Sequence, residues 1–260
     1  MTAARYRPGT ARRRRLAQIA VIIVIALGAT AAGLALAGHH GARQIQQGPG
    51  RARPGVPPTS AAGSGWLARA TRSGLAGLRW TDFYGVELPV SPSAGPRAVR
   101  RGLAWGFADT PAGALLAAVS IGVRANAQWG PAIFGPTIRD QVTGPGAAAL
   151  VAACQASYDQ ASRSQGVPGG RPLGPVDVAE AAFRWVIYTP ASATVDIVSV
   201  GPGGQGVTAR AVTRIELQWL DGDWRVLAPP GGDWGNSAAP LTSLAGYTSF
   251  PARPGRKDNP

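Results

Sequence analysis

Residues 215–229 read IELQWLDGDWRVLAP. Ile215, Leu217 and Trp219 alternate with Glu216 and Gln218, the period of a strand with one buried face. Asp221-Gly222-Asp223 then interrupts, and Trp224 to Leu227 resumes an apolar alternation. Two readings compete: a compact acid pair set for a substrate, or the bend of a hairpin. Asp-Gly between alternating segments is the strongest short-range hairpin signal, because glycine tolerates positive φ. The stretch therefore predicts strand, turn and strand. Asp221, Gly222 and Asp223 form the turn, both carboxylates face water, and Trp219 and Trp224 pack beside it.

Working upstream, GVTARAVTRIELQWL extends the first strand back to Gly206. Val207, Ala209, Ala211, Ile215, Leu217 and Trp219 face one way. Thr208, Arg210, Arg214, Glu216 and Gln218 face the other. ATVDIVSV is rich in β-branched residues, and AAFRWVIYT places Phe183, Trp185 and Ile187 on one face, with Trp185 a packing aromatic. Before a Gly/Pro loop at 166–175 the period is helical. In DTPAGALLAAVSIGVRA, Thr110 caps and Pro111 takes the first helical position. GPTIRDQV predicts a turn or short helix. GPGAAALVAACQASYDQAS predicts a second long helix, with Leu150, Val151, Cys154 and Tyr158 on one side. Helices first and long antiparallel strands after predict an α+β domain, its helices gathered on one face of a curved sheet.

The chemistry carried by this segment is sparse. Its 81–250 portion contains no histidine, so Ser-His-Asp and Cys-His arrangements are excluded there. Cys154 is the only cysteine of the chain, which excludes an intrachain disulfide; it reads as a small core residue. GPGGQG at 201–206 matches a dinucleotide fingerprint by letter, but a strand rather than a helix follows, so it reads as a hairpin connection. Asp177 and Glu180 read as a cap and capping-box partner at a helix start. No cofactor and no metal site is expected. Acid–base chemistry by one carboxyl in an apolar pocket stays open as an alternative.

Charge is unevenly distributed. The chain has a net charge of +13 over 260 residues, yet residues 1–80 carry twelve Arg and no acid, while residues 81–250 carry eleven Arg and twelve acids. The folded segment thus lacks the basic footprint of a nucleic-acid domain. Arg97, Arg100 and Arg101 form a small basic patch at its start.

Leu16–Ala37 is uncharged and long enough to cross a hydrocarbon core of roughly 30 Å as a helix. Arg12, Arg13, Arg14 and Arg15 precede it, which puts the N-terminus in the cytoplasm and the rest outside. ALAG at 35–38 offers a signal-peptide cleavage site, but the apolar run exceeds the usual 7–15 residues, so an uncleaved anchor is expected. Gly28, Ala29, Ala32 and Gly33 give a candidate helix–helix packing face, which would support homo-oligomers. His39 and His40 follow at the outer interface. The expected organisation is a basic tail at 1–15, a membrane helix at 16–37, a flexible linker at 38–79, an α+β domain at 80–229 and an extended tail at 230–260. The linker would hold the domain roughly 35 Å from the bilayer if coil-like.

This layout, ending in IELQWLDGDWRVLAP, resembles the bitopic membrane subunits of conjugation and type IV secretion machines, and among them TcpC-type proteins. WGFADTPAGALLAA and WGPAIFGPTIRDQVTG are also similar to uncharacterised actinobacterial proteins of plasmids and integrative elements. The resemblance implies a cystatin-like cone named for nuclear transport factor 2, no catalysis, no cofactor, and a scaffold role. The implied partners are the membrane and other channel or envelope subunits. TcpC-type proteins carry two such outer domains; this chain has room for one. An extracytoplasmic small-molecule binder, or an Asp-based enzyme using the cone interior, is the alternative.

Overall fold

The structure, a computed structural model, describes residues 61–100, 102–176, 178–203 and 208–253. The basic tail, the apolar run with Gly28, Ala29, Ala32 and Gly33, and His39 and His40 lie outside the described residues, as does Asp177. Among the described residues no helix is long and apolar enough to cross a membrane.

The fold is α+β. A first helix, α1 (Ala61–Gly74), leads into the hairpin β1 (Arg79–Phe83) and β2 (Val86–Val90), then a small ribbon β3 (Ala98–Arg100) and β4 (Leu103–Trp105). Three helical elements follow: α2 (Pro111–Arg124), α3 (Pro131–Gln141) and α4 (Ala147–Gln165), with the two-residue β5 (Val142–Thr143) between the last two. The long strands come next, β6 (Ala179–Tyr188), β7 (Ser192–Pro202), β8 (Thr208–Leu220) and β9 (Asp223–Leu227), and then short β10 (Ala238–Pro240) and β11 (Thr248–Ser249). The main sheet runs β1-β2-β6-β7-β8-β9-β5. Its pairs are antiparallel except β2 with β6 and β5 with β9.

α2 is the centre of the core. The Thr110 hydroxyl accepts the Gly113 amide, as the cap pattern predicts, and all fourteen residues of the helix are buried. Such a helix cannot be amphipathic. It packs against α1 and α3 and on β2, β7, β8 and β9, so apolar side chains are needed all round. Leu115, Leu116 and Ile121 are completely covered, each worth about 1.5–3 kcal/mol of transfer free energy. β8 supplies the opposing wall: Ala211, Thr213, Ile215 and Leu217 are buried while Arg214, Glu216 and Gln218 face solvent, the alternation read from sequence.

Four expectations are corrected. Strands β1 and β2 precede α2, α3 and α4, extending the sheet beyond β6. Residues 61–74, expected within the linker, form α1, whose Thr71 is buried against the domain, as is Leu75 just after it. The Gly/Ser/Arg composition of this helix hides it, since its stability comes from packing and not from propensity. In β6 the register shifts between Trp185 and Ile187, so Phe183 and Trp185 turn inward as expected but Ile187 is exposed and Tyr188 takes the inward place.

The fourth correction concerns 230–260. β10 pairs with β8 and β11 with β6, so the chain between them crosses β7 on the face away from the helices. Under this strap lies Asp196, buried between Arg184 at 2.7 Å and Arg214 at 2.8 Å, with the Tyr247 ring 4.6 Å from the Arg184 guanidinium. Burial alone would raise this carboxyl, but the two guanidiniums outweigh it and hold it below the usual range. Trp234, before β10, and Phe250, after β11, are core residues; the Trp234 Nε1 donates to the Ala125 carbonyl at the C-terminal end of α2.

Candidate functional site

The hairpin is where sequence pointed. Asp221 and Gly222 both take positive φ, 54° and 82°, and Leu220 pairs with Asp223. That is a two-residue turn of the type whose twist matches a hairpin. Asp221 behaves as expected, exposed and 3.8 Å from Arg225. Asp223 does not. Its Oδ2 accepts the Gly106 amide at 2.8 Å, and its Oδ1 accepts the Phe107 amide at 3.1 Å and the Trp224 amide at 2.9 Å. The expectation that both carboxylates simply face water is corrected, because Asp223 clamps a loop more than a hundred residues away. Trp224 reinforces the clamp, with its Nε1 donating to the Ala108 carbonyl at 2.9 Å. Trp219 meets Trp224 edge-on, ring centroids 5.4 Å apart, and Trp185 donates to the Thr71 hydroxyl of α1. The three tryptophans pack as expected.

The clamp borders a surface notch of about 170 Å³. Leu103, Trp105 and Trp224 give it apolar walls, and Asp140 and Arg225 lie at its lining. Gln141 is buried there: its Nε2 donates to the Ala104 carbonyl while its Oε1 has no partner. Trp105 stays more than one-third exposed beside it.

Trp129, Phe134, Ile197 and Ile215 are all nearly or fully covered, and besides Asp196 a second acid is buried among the strands. Glu180, on β6, is wholly buried; its Oε2 accepts the Ser199 hydroxyl at 2.9 Å. Burial pushes its carboxyl up to about 7, against the smaller pull of Ser199 and Arg253. The capping-box reading of Glu180 is therefore corrected: a strand, not a helix, begins here. Arg253 reaches back over the Trp80 ring at 4.0 Å and pairs with Glu87 at 3.2 Å. Arg124, at the end of α2, is also buried; it donates to the Ser120 carbonyl and hydroxyl and lies 4.5 Å from the Phe83 ring. Burial lowers it to about 10. Cys154 is a core residue as expected, its thiol pushed up to about 12 by burial.

The expected site residues thus divide. The hairpin and its tryptophans gather at one place, Arg12 to Arg15 and the small-residue face lie outside the described residues, and Arg100 is exposed on β3 while Arg101 is outside them. Among the described residues no group of His, Cys, Asp and Glu is placed to hold a metal ion. Glu180, Asp196, Gln141 and Arg124 were not singled out by sequence as polar groups of the interior. The one local signal that could have found a buried acid is the lone Asp196 inside the β-branched run ATVDIVSV.

Fold and site together define an α+β domain whose helices pack on a curled, mostly antiparallel sheet. The chain belongs to a family described as a domain of unknown function, DUF8175, whose model matches residues 30–249. No curated protein matches it. No solved structure does either.

Proposed function

We propose that this protein is a membrane-anchored, non-catalytic scaffold subunit of a conjugative DNA-transfer or type IV secretion-like complex, with its outer domain a cystatin-like cone. The N-terminus is cytoplasmic and the folded domain extracytoplasmic. One observation carries the reading: the space between helices and sheet is occupied by α2 and its neighbours, whereas Trp105, Val99 and Leu220 stand on the surface. Exposed aromatic and aliphatic side chains beside a polar-rimmed notch suit contact with another protein. The neutral balance of residues 81–250 suits a protein partner better than DNA. The test is crosslinking and recovery of the intact protein from native membranes. Enrichment of transfer or secretion subunits supports the role; recovery of the protein alone counts against it.

A second reading keeps one observation in its favour. Glu180, buried beside Ser199 with its carboxyl near neutrality, has the electrostatics of a general acid. A substrate would have to displace core side chains to reach it, so this reading requires an open form. Hydrogen exchange of the β6 and β7 amides tests it: uniform slow exchange, matching global unfolding, contradicts such a form.

A further inference from the structure

We propose that the outer face of α1 is a docking surface for anionic lipid headgroups of the membrane in which the chain is anchored; this rests on the anchor reading of residues 16–37. α1 is AAGSGWLARATRSG, with two arginines and no acid. Its inner side is fixed to the domain: Thr71 is buried and accepts from Trp185, and Leu75, directly after the helix, is buried too. Its outer side presents Trp66, Arg69, Arg72 and Ser73, all exposed, with Arg69 three residues from both Trp66 and Arg72 and four from Ser73. Trp66 is 51% exposed, a large apolar area for an aromatic, and meets Tyr188 edge-on, 6.1 Å between centroids. Val186 and Ile187, just before Tyr188 in β6, are exposed as well.

Two facts select the occupant. Residues 38–80 hold six arginines and no acid, so the approach to the domain is uniformly positive. Second, only 23 residues separate Ala37 from the start of α1, so of the whole domain α1 is the element tethered nearest the anchor. An exposed tryptophan flanked by arginines is the side-chain chemistry of a headgroup region, where aromatic rings rest and each basic residue gains about 1 kcal/mol.

The test reconstitutes the full chain in two vesicle types, phosphatidylcholine alone and phosphatidylcholine with phosphatidylglycerol, each with acyl-brominated lipid as a contact quencher of tryptophan. Flotation after an alkaline wash reports the anchor independently. The expected result is quenching in the anionic vesicles, abolished in W66F, reduced about fivefold in docking equilibrium for each of R69S and R72S, and weakened by salt. Both arginines are exposed, so folding is preserved and is checked by thermal melting. A chain that floats but shows equal quenching in wild type and W66F overturns the docking and leaves the anchor standing. A chain that fails to float overturns the anchor, and the docking with it. Protection of α1 by a co-purified protein, without lipid quenching, overturns the proposal in favour of a subunit contact.

Discussion

The Asp223 carboxylate grips the Gly106 amide, 2.8 Å away and 117 residues earlier in the chain. Its other oxygen holds Phe107, so one side chain joins the β8–β9 hairpin to the loop that launches α2. Asp221, two residues before it, has only a loose contact with Arg225. Two acids that look alike in DGDW thus differ in their work.

The first prediction follows from that asymmetry. Asp223→Ala leaves three partly buried amides, those of Gly106, Phe107 and Trp224, without their acceptor and should cost about 2–3 kcal/mol. Asp221→Ala loses an exposed contact; its main cost is the positive φ, about 1 kcal/mol. Urea unfolding of both variants decides it: equal losses would show that the clamp is not a stability element.

The second concerns pH. The Glu180 carboxyl is raised by burial to about 7, so the folded state holds a proton that the unfolded chain releases near the ordinary carboxylate value. Its contribution is fully present in acid and is lost as pH rises, the loss being complete above about 7. Glu180→Gln should flatten that slope, on the order of 2–3 kcal/mol between the two ends. Melting temperatures of both proteins across this pH range are the check; identical slopes would contradict the assignment.

The third reverses a usual sign. Gly→Ala in a helix normally stabilises by about 1 kcal/mol. At Gly113 an added Cβ would run into the Ala108 carbonyl, the same oxygen that accepts from Trp224. Gly113→Ala should therefore destabilise, by roughly 2 kcal/mol or more. Calorimetry showing a more stable variant would mean the loop yields without cost.

The fourth separates core from tail. Trp234 and Phe250 are buried in the main core although they follow the last long strand. Trp234→Ala should cost about 3–5 kcal/mol, and a chain ended after Pro229 should fail to fold. A stable truncated chain by circular dichroism would contradict the strap.

What sequence made legible was local. The Asp-Gly turn, the Thr110-Pro111 cap and the alternation of β8 are each decided by neighbours within a few residues. What it hid depends on distant partners. Asp223 looked like a turn residue because nothing near it names Gly106. Glu180 follows Asp177 at capping-box spacing, but pairing with Ser199 of β7 makes it a strand residue. α1 and the strap escaped because helices and short strands held by packing have weak local patterns. Ile187 was placed on the wrong face by a single bulge, which flips every later side chain.

The central claim is that the outside of this domain, and not its interior, does the work. A photoreactive residue in place of Trp105, in the intact protein in its native membrane, tests it most directly by mass spectrometry of the adducts. The account predicts adducts with other subunits of a transfer or secretion complex. Adducts with no other protein would contradict it.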